Sequence, residues 1–174
     1  MLLDRLFKER PALAVGRSLY TSVVEQARTP SLYIELGCPD TVEGRFEVYT
    51  LHLMLVLERL KGQGAEASEV SQALFDVYLK RLDDALREMG VGDLSVGKKM
   101  RKLGEAFYGR LKTFVAAREA LPDREPLTAL IRRTVYEGVD DRHAGELADY
   151  LLTQRQALAG NAGEQLIAGE VRWA

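Results

Sequence analysis

Leu86–Arg110, LREMGVGDLSVGKKMRKLGEAFYGR, is the stretch whose reading decides the fold. Ahead of it, Val70, Leu74, Val77, Leu82, Leu86 and Met89 recur at three- to five-residue spacings, which predicts one apolar stripe on an amphipathic helix. Gly90 ends that helix, because a residue without a β-carbon enters the left-handed C-cap conformation at no steric cost. Asp93 or Ser95 is placed to cap the next helix, whose stripe is Met100, Leu103, Phe107, Leu111 and Phe114. Lys98, Lys99, Arg101, Lys102 and Lys112 project elsewhere, and from Lys98 to Lys112 six basic residues stand against one acidic residue, Glu105. The frame is thus two helices meeting at a glycine corner, the second buried on one side and strongly basic on the other.

Working outward, Gly62, Gln63 and Gly64 separate the first of these helices, expected from Ser68 through Met89, from an earlier one capped by Asp40 or Thr41. Glu43 lies near the positive end of that earlier helix. Its apolar residues, Phe46, Val48, Tyr49, Leu51, Leu53, Met54, Leu55, Val56, Leu57 and Leu60, surround almost the whole circumference, which predicts a helix covered on most sides. The run Val48–Leu57 is ten residues long, well short of the ~20 needed to cross a bilayer. Before it, Leu13, Leu19, Tyr20, Val23, Val24 and Ala27 predict a helix bounded by Pro11 and Pro30. Leu2, Leu3, Leu6 and Phe7 read as a short amphipathic turn, and Ser31–Val42 as an ordered loop with a brief extended piece at Leu32–Leu36. After the corner, a fifth helix runs from about Val96 to Leu121, and Pro126 opens a sixth reaching Gly138. Asp140 or Asp141 suits the cap of a seventh from His143 to about Leu158. The glycine-rich C-terminal segment with Leu166, Ile167, Val171 and Trp173 reads as a tail that docks rather than a helix. The expectation is all-α: one domain over residues 1–174, a bundle of about six or seven helices with a short docked tail.

A chain of 174 residues with 47% apolar content can bury a core, and 24 basic against 26 acidic residues argues against a dedicated nucleic-acid binder. Charge is nevertheless uneven: Glu119–Asp149 holds eight acidic and four basic residues, opposite in sign to the corner helix. The lone Cys38 excludes an internal disulfide framework and fits a reducing compartment. The opening MLLDRLFKER has neither the apolar core of a signal peptide nor the acid-poor character of a presequence, so a cytoplasmic location is expected.

Gly92–Lys99 matches the phosphate-loop pattern G-x-x-x-x-G-K-[ST] except at its last position, where Lys99 stands in place of the magnesium-binding hydroxyl. A helix precedes it where that motif needs a strand, so nucleotide binding is not the expectation. His52 reads as a core histidine hydrogen-bonded through the fold, His143 as a first-turn surface residue, and Cys38 as a small buried or loop thiol. No acid pair, triad or metal spacing stands out, which predicts a non-enzymatic protein without cofactor or metal. The basic helix is then an ordinary solvated face or a docking surface for a nucleic-acid backbone, an anionic membrane or an acidic partner. Phe107 and Tyr108 point about 100° apart on a helix, so both are buried only in an enclosed site. Gly104 and Gly109 allow tight helix packing or the close approach of a partner.

Two blocks go further. Pro39-Asp40-Thr41-Val42-Glu43-Gly44-Arg45-Phe46-Glu47, continuing through Leu51-His52-Leu53, and the corner Leu86–Lys98, continuing through Glu105-Ala106-Phe107-Tyr108-Gly109-Arg110, resemble the signature blocks of the ubiquinol-cytochrome c chaperone family. Leu74-Phe75-Asp76 fits the same pattern, and the resemblance covers roughly Ser18 to Leu152. It implies a non-enzymatic assembly chaperone for the ubiquinol-cytochrome c reductase complex, holding newly made cytochrome b until haem and partner subunits are added. For mitochondrial members it implies binding at the ribosome exit tunnel and action with a small helper protein. This chain looks like a bacterial version on the cytoplasmic side, and peripheral contact with anionic membrane at the inner face of the plasma membrane is a further expectation. The partner-binding residues implied are Asp40, Gly44, Arg45, Phe46 and Glu47 at one end and Gly92, Gly97, Lys98, Phe107, Tyr108 and Arg110 at the other. Arg45 and Glu47 are equally readable as ion-pair partners that hold the fold. The alternatives are a ribosome- or RNA-associated module using the basic helix 98–112, and an enzyme for a nucleotide or quinone.

Overall fold

A computed structural model describes residues 11–174, over which the chain forms helices joined by turns and no strand. The all-α expectation holds; the amphipathic turn expected at Leu2–Phe7 lies outside the described residues. In chain order the helices are α1 (Pro11–Ala27), α2 (Pro30–Ile34), α3 (Val42–Leu60), α4 (Ala65–Glu88), α5 (Asp93–Glu119), α6 (Glu125–Thr134), α7 (Ala144–Ala159) and α8 (Gly163–Ile167).

Helix α3 is central, as its encircling apolar residues predict. It packs against α1, α4 and α7, and Val48, Leu51, Leu53, Met54, Leu55, Val56 and Leu60 are all buried. Thr41 caps it, its Oγ1 accepting the Gly44 N–H at 3.0 Å. Helix α1 lies along α4, with Gly16 seated on the α4 backbone at Ala73 and Leu74. Helix α5 packs on α4 and α6, while its backbone stands off from α3.

The corner forms as expected in one respect: Gly90 takes φ +81°, the left-handed conformation that closes α4. The next cap differs. Gly92, not Asp93 or Ser95, is the N-cap of α5, its carbonyl accepting the Ser95 and Val96 N–H groups. Asp93 is drawn instead to Arg87 across the corner, and Met89 leaves the α4 stripe to stand 65% exposed. Three further expectations are corrected. Residues Pro30–Ile34 are a short helix rather than an extended piece, because Pro30 occupies its first position and Leu32 finds a buried site. Helix α7 is led by His143, while Asp140 turns back to accept the Arg142 N–H at 3.0 Å. The C-terminal tail docks as predicted but contains α8. Ser18 donates to the Gly169 carbonyl at 2.9 Å, Asn161 and Arg172 bond through backbone and amide, and Trp173 Nε1 donates to Ser22 Oγ at 3.0 Å.

Candidate functional site

The stand-off between α3 and α5 leaves a cleft of about 760 Å³, closed on its third side by α4. Leu57 and Leu60 from α3, Phe75 from α4, and Phe107, Tyr108, Leu111 and Phe114 from α5 give it apolar walls. Phe107 is buried within a ring cluster, 5.0 Å from Phe75 and 5.6 Å from Tyr78 between centroids. Tyr108, one residue on and therefore rotated by about 100°, stays 60% exposed at the rim, 6.0 Å from Phe75. The adjacent aromatics thus split between wall and lip.

Two ion-pair clusters tie α5 to α3. Near the start of α3, Arg110 forks onto the buried Glu47, its Nε donating to Oε2 at 2.7 Å and its Nη2 to Oε1. Burial pushes the Glu47 carboxyl above its ordinary value, and the Arg110 charge opposes that shift. At the end of α3, Glu58 Oε1 receives Arg118 Nη1 at 3.3 Å and Arg155 Nε at 3.0 Å. Glu58 Oε2 and Arg118 Nε are buried without a hydrogen-bond partner.

The residues implied by the sequence therefore separate. Phe107 and Tyr108 line the cleft, and Glu47 with Arg110 form one of the ties beside it. Asp40 and Arg45 pair with each other on the surface, Arg45 also lying 5.7 Å above the Tyr33 ring. Gly44 is buried against Pro39, so closely that a β-carbon there would overlap the Pro39 carbonyl oxygen, and Phe46 is half-buried against the core. Gly92, Gly97 and Lys98 are exposed near the far end of α5, Lys98 some ten residues or roughly 15 Å of helix from Tyr108. The packing expected at Gly104 and Gly109 is absent, since a β-carbon at either meets open space. Sequence reasoning missed Glu58, Arg118 and Arg155; Glu58 was visible only as the charged boundary of an apolar run, and its partners lie 60 and 97 residues away.

His52 and Cys38 are held in structural roles. His52 Nδ1 donates to the Val48 carbonyl at 2.8 Å, so Nε2 accepts from the Tyr150 hydroxyl at 2.9 Å, and that oxygen in turn accepts from Gln26 Nε2. Burial lowers the His52 pKa to about 4. Cys38 is buried 3.8 Å from the Tyr136 hydroxyl, and burial raises its thiol to about 11, far from a nucleophilic range. Among the described residues no group of three or more His, Cys, Asp or Glu is arranged to hold a metal ion, and no helix is long and apolar enough to cross a membrane.

Residues 35–173 match the model of the ubiquinol-cytochrome C chaperone family. The chain is 28% identical over 158 residues to ubiquinol-cytochrome c reductase complex assembly factor 1 of Mus musculus, covering 89% of this chain and 53% of that protein. Its Xenopus laevis counterpart is 27% identical over 157 residues, covering 89% of this chain and 78% of that protein. The chain thus spans about half the length of the mouse relative. The crystal structure of the Cbp3 homolog from Brucella abortus superposes with a TM-score of 0.86 at 34% identity, over 100% of this chain and 97% of that one.

Proposed function

This chain belongs to the ubiquinol-cytochrome c chaperone family, and on that premise we propose that it is a non-enzymatic assembly factor for ubiquinol-cytochrome c reductase that receives newly made cytochrome b in the α3–α4–α5 cleft. The supporting observation is the cleft itself, which pairs the buried Phe107 with the exposed Tyr108 from one of the two blocks that carry the family resemblance. A membrane protein caught before insertion presents apolar helices, and an aromatic-walled groove with a polar edge binds such a segment while the complex stays soluble. At one end, the paired Glu58 and Arg118 line the cleft and give it a charged edge. Contact with the ribosome and a small helper protein, in the cytoplasm at the inner face of the plasma membrane, belongs to the same proposal.

The test is a deletion strain in which assembled reductase is measured by its haem b absorbance, then complemented with the wild type and with Tyr108→Asp/Leu111→Asp. Deletion lowers assembled reductase, and the double variant, which places carboxylates on the cleft, fails to restore it. Normal reductase in the deletion strain refutes the proposed function; full rescue by the double variant refutes the cleft as the site.

A further inference from the structure

The corner between α4 and α5 exposes apolar and basic side chains side by side. Leu94 is 100% exposed and Met89 is 65% exposed, two of the few large apolar residues left in water. At 100° per residue, Lys98, Arg101 and Lys102 fall within about 80° of Leu94, whereas Val96, Leu103 and Phe107 fall about 140–180° away. That second set is the buried or half-buried side of α5. One face of the first turns of α5 therefore carries a protruding leucine followed by three cations. Lys98 and Lys102 make no ion pair among the described residues, and Arg101 reaches Glu105 only at 3.9 Å in the open. Of the acidic groups nearby, Asp93 is held by Arg87, leaving Glu88 and Glu105 against this cluster.

We propose that the α4–α5 corner is a membrane-docking tip: Leu94 and Met89 enter the headgroup region of an anionic bilayer while Lys98, Arg101 and Lys102 contact its phosphates. An exposed leucine has no use to a purely electrostatic surface. Placed on the cationic side of the helix it gives the pattern of interfacial binding, where apolar insertion and charge attraction act together. The face shares no residue with the cleft, so membrane docking and client capture fail independently.

The 174-residue chain is sedimented with vesicles of phosphatidylcholine alone and of phosphatidylcholine with phosphatidylserine. Binding is expected only with phosphatidylserine. Each cation near the surface is worth about fivefold at low salt, so Lys98→Gln/Arg101→Gln/Lys102→Gln weakens partitioning on the order of a hundredfold. Leu94→Ser, at a fully exposed position that leaves the fold intact, weakens it about tenfold and leaves the salt dependence unchanged. Absence of binding to the anionic vesicles overturns the proposal. So does wild-type binding by Leu94→Ser alongside loss in the triple variant, which is what a nucleic-acid phosphate surface would produce.

Discussion

Acidification should destabilise this protein through one buried ring. In the folded chain His52 titrates at about 4 against 6.5 in an ordinary setting. A base whose folded pKa lies below its unfolded value is protonated first in the unfolded chain, so its effect on stability is absent above pH 6.5 and grows as pH falls toward 4. The slope is about 1.4 kcal/mol per pH unit, which makes the loss about 2 kcal/mol between pH 7 and pH 5. The hydrogen bonds give the same sign. With Nδ1 committed to Val48, a second proton on Nε2 would aim at Tyr150 Oη, displacing that hydroxyl's hydrogen from its only acceptor while Gln26 still donates to the same oxygen. Glu47 acts in the opposite direction, because its raised carboxyl takes up a proton more readily in the fold. Comparison with His52→Gln, which keeps a donor and an acceptor but does not titrate, isolates the ring. Urea unfolding of both proteins from pH 7 to pH 5 should show the wild-type advantage shrinking by about 2 kcal/mol. A constant difference, or a folded His52 proton resonance titrating near 6.5, would refute the reasoning.

Arg110→Ala should cost about 3 kcal/mol in urea unfolding, because it strands the buried Glu47 carboxylate. Adding Glu47→Gln to it should recover much of that loss, and strict additivity would contradict the pair. Gly44→Ala should destabilise by about 1–3 kcal/mol through collision with Pro39, while Gly97→Ala, whose β-carbon meets open space within α5, should stabilise by about 0.5–1 kcal/mol; thermal melts of the two should move in opposite directions.

What could be read before the structure was whatever depends on neighbours along the chain. The encircling apolar residues of Phe46–Leu60 announced a central helix, and Gly90 announced the turn after α4. Caps were less legible at Asp93 and Asp140, because each had an arginine within reach, Arg87 and Arg142, that competed for the carboxylate. Family blocks gathered residues that share a lineage rather than a place: Asp40 and Lys98 stand apart from the cleft, while Phe107 and Tyr108 line it. Phe75 lay in a shorter matching piece, yet its partnership with Phe107 is set by the α4–α5 hairpin. The Glu58, Arg118 and Arg155 cluster joins three helices, and no local pattern encodes which arginine meets which carboxylate.

Trp173 is the one tryptophan of the chain, and the docked tail lays its indole edge-on to the His52 ring at 5.6 Å. Tryptophan emission, excited selectively over the seven tyrosines, therefore reports a single place, the seam where the C-terminus covers α1 and α3. Undocking of the tail should shift that emission toward the red as water reaches the indole, which gives an optical readout of the seam without a label.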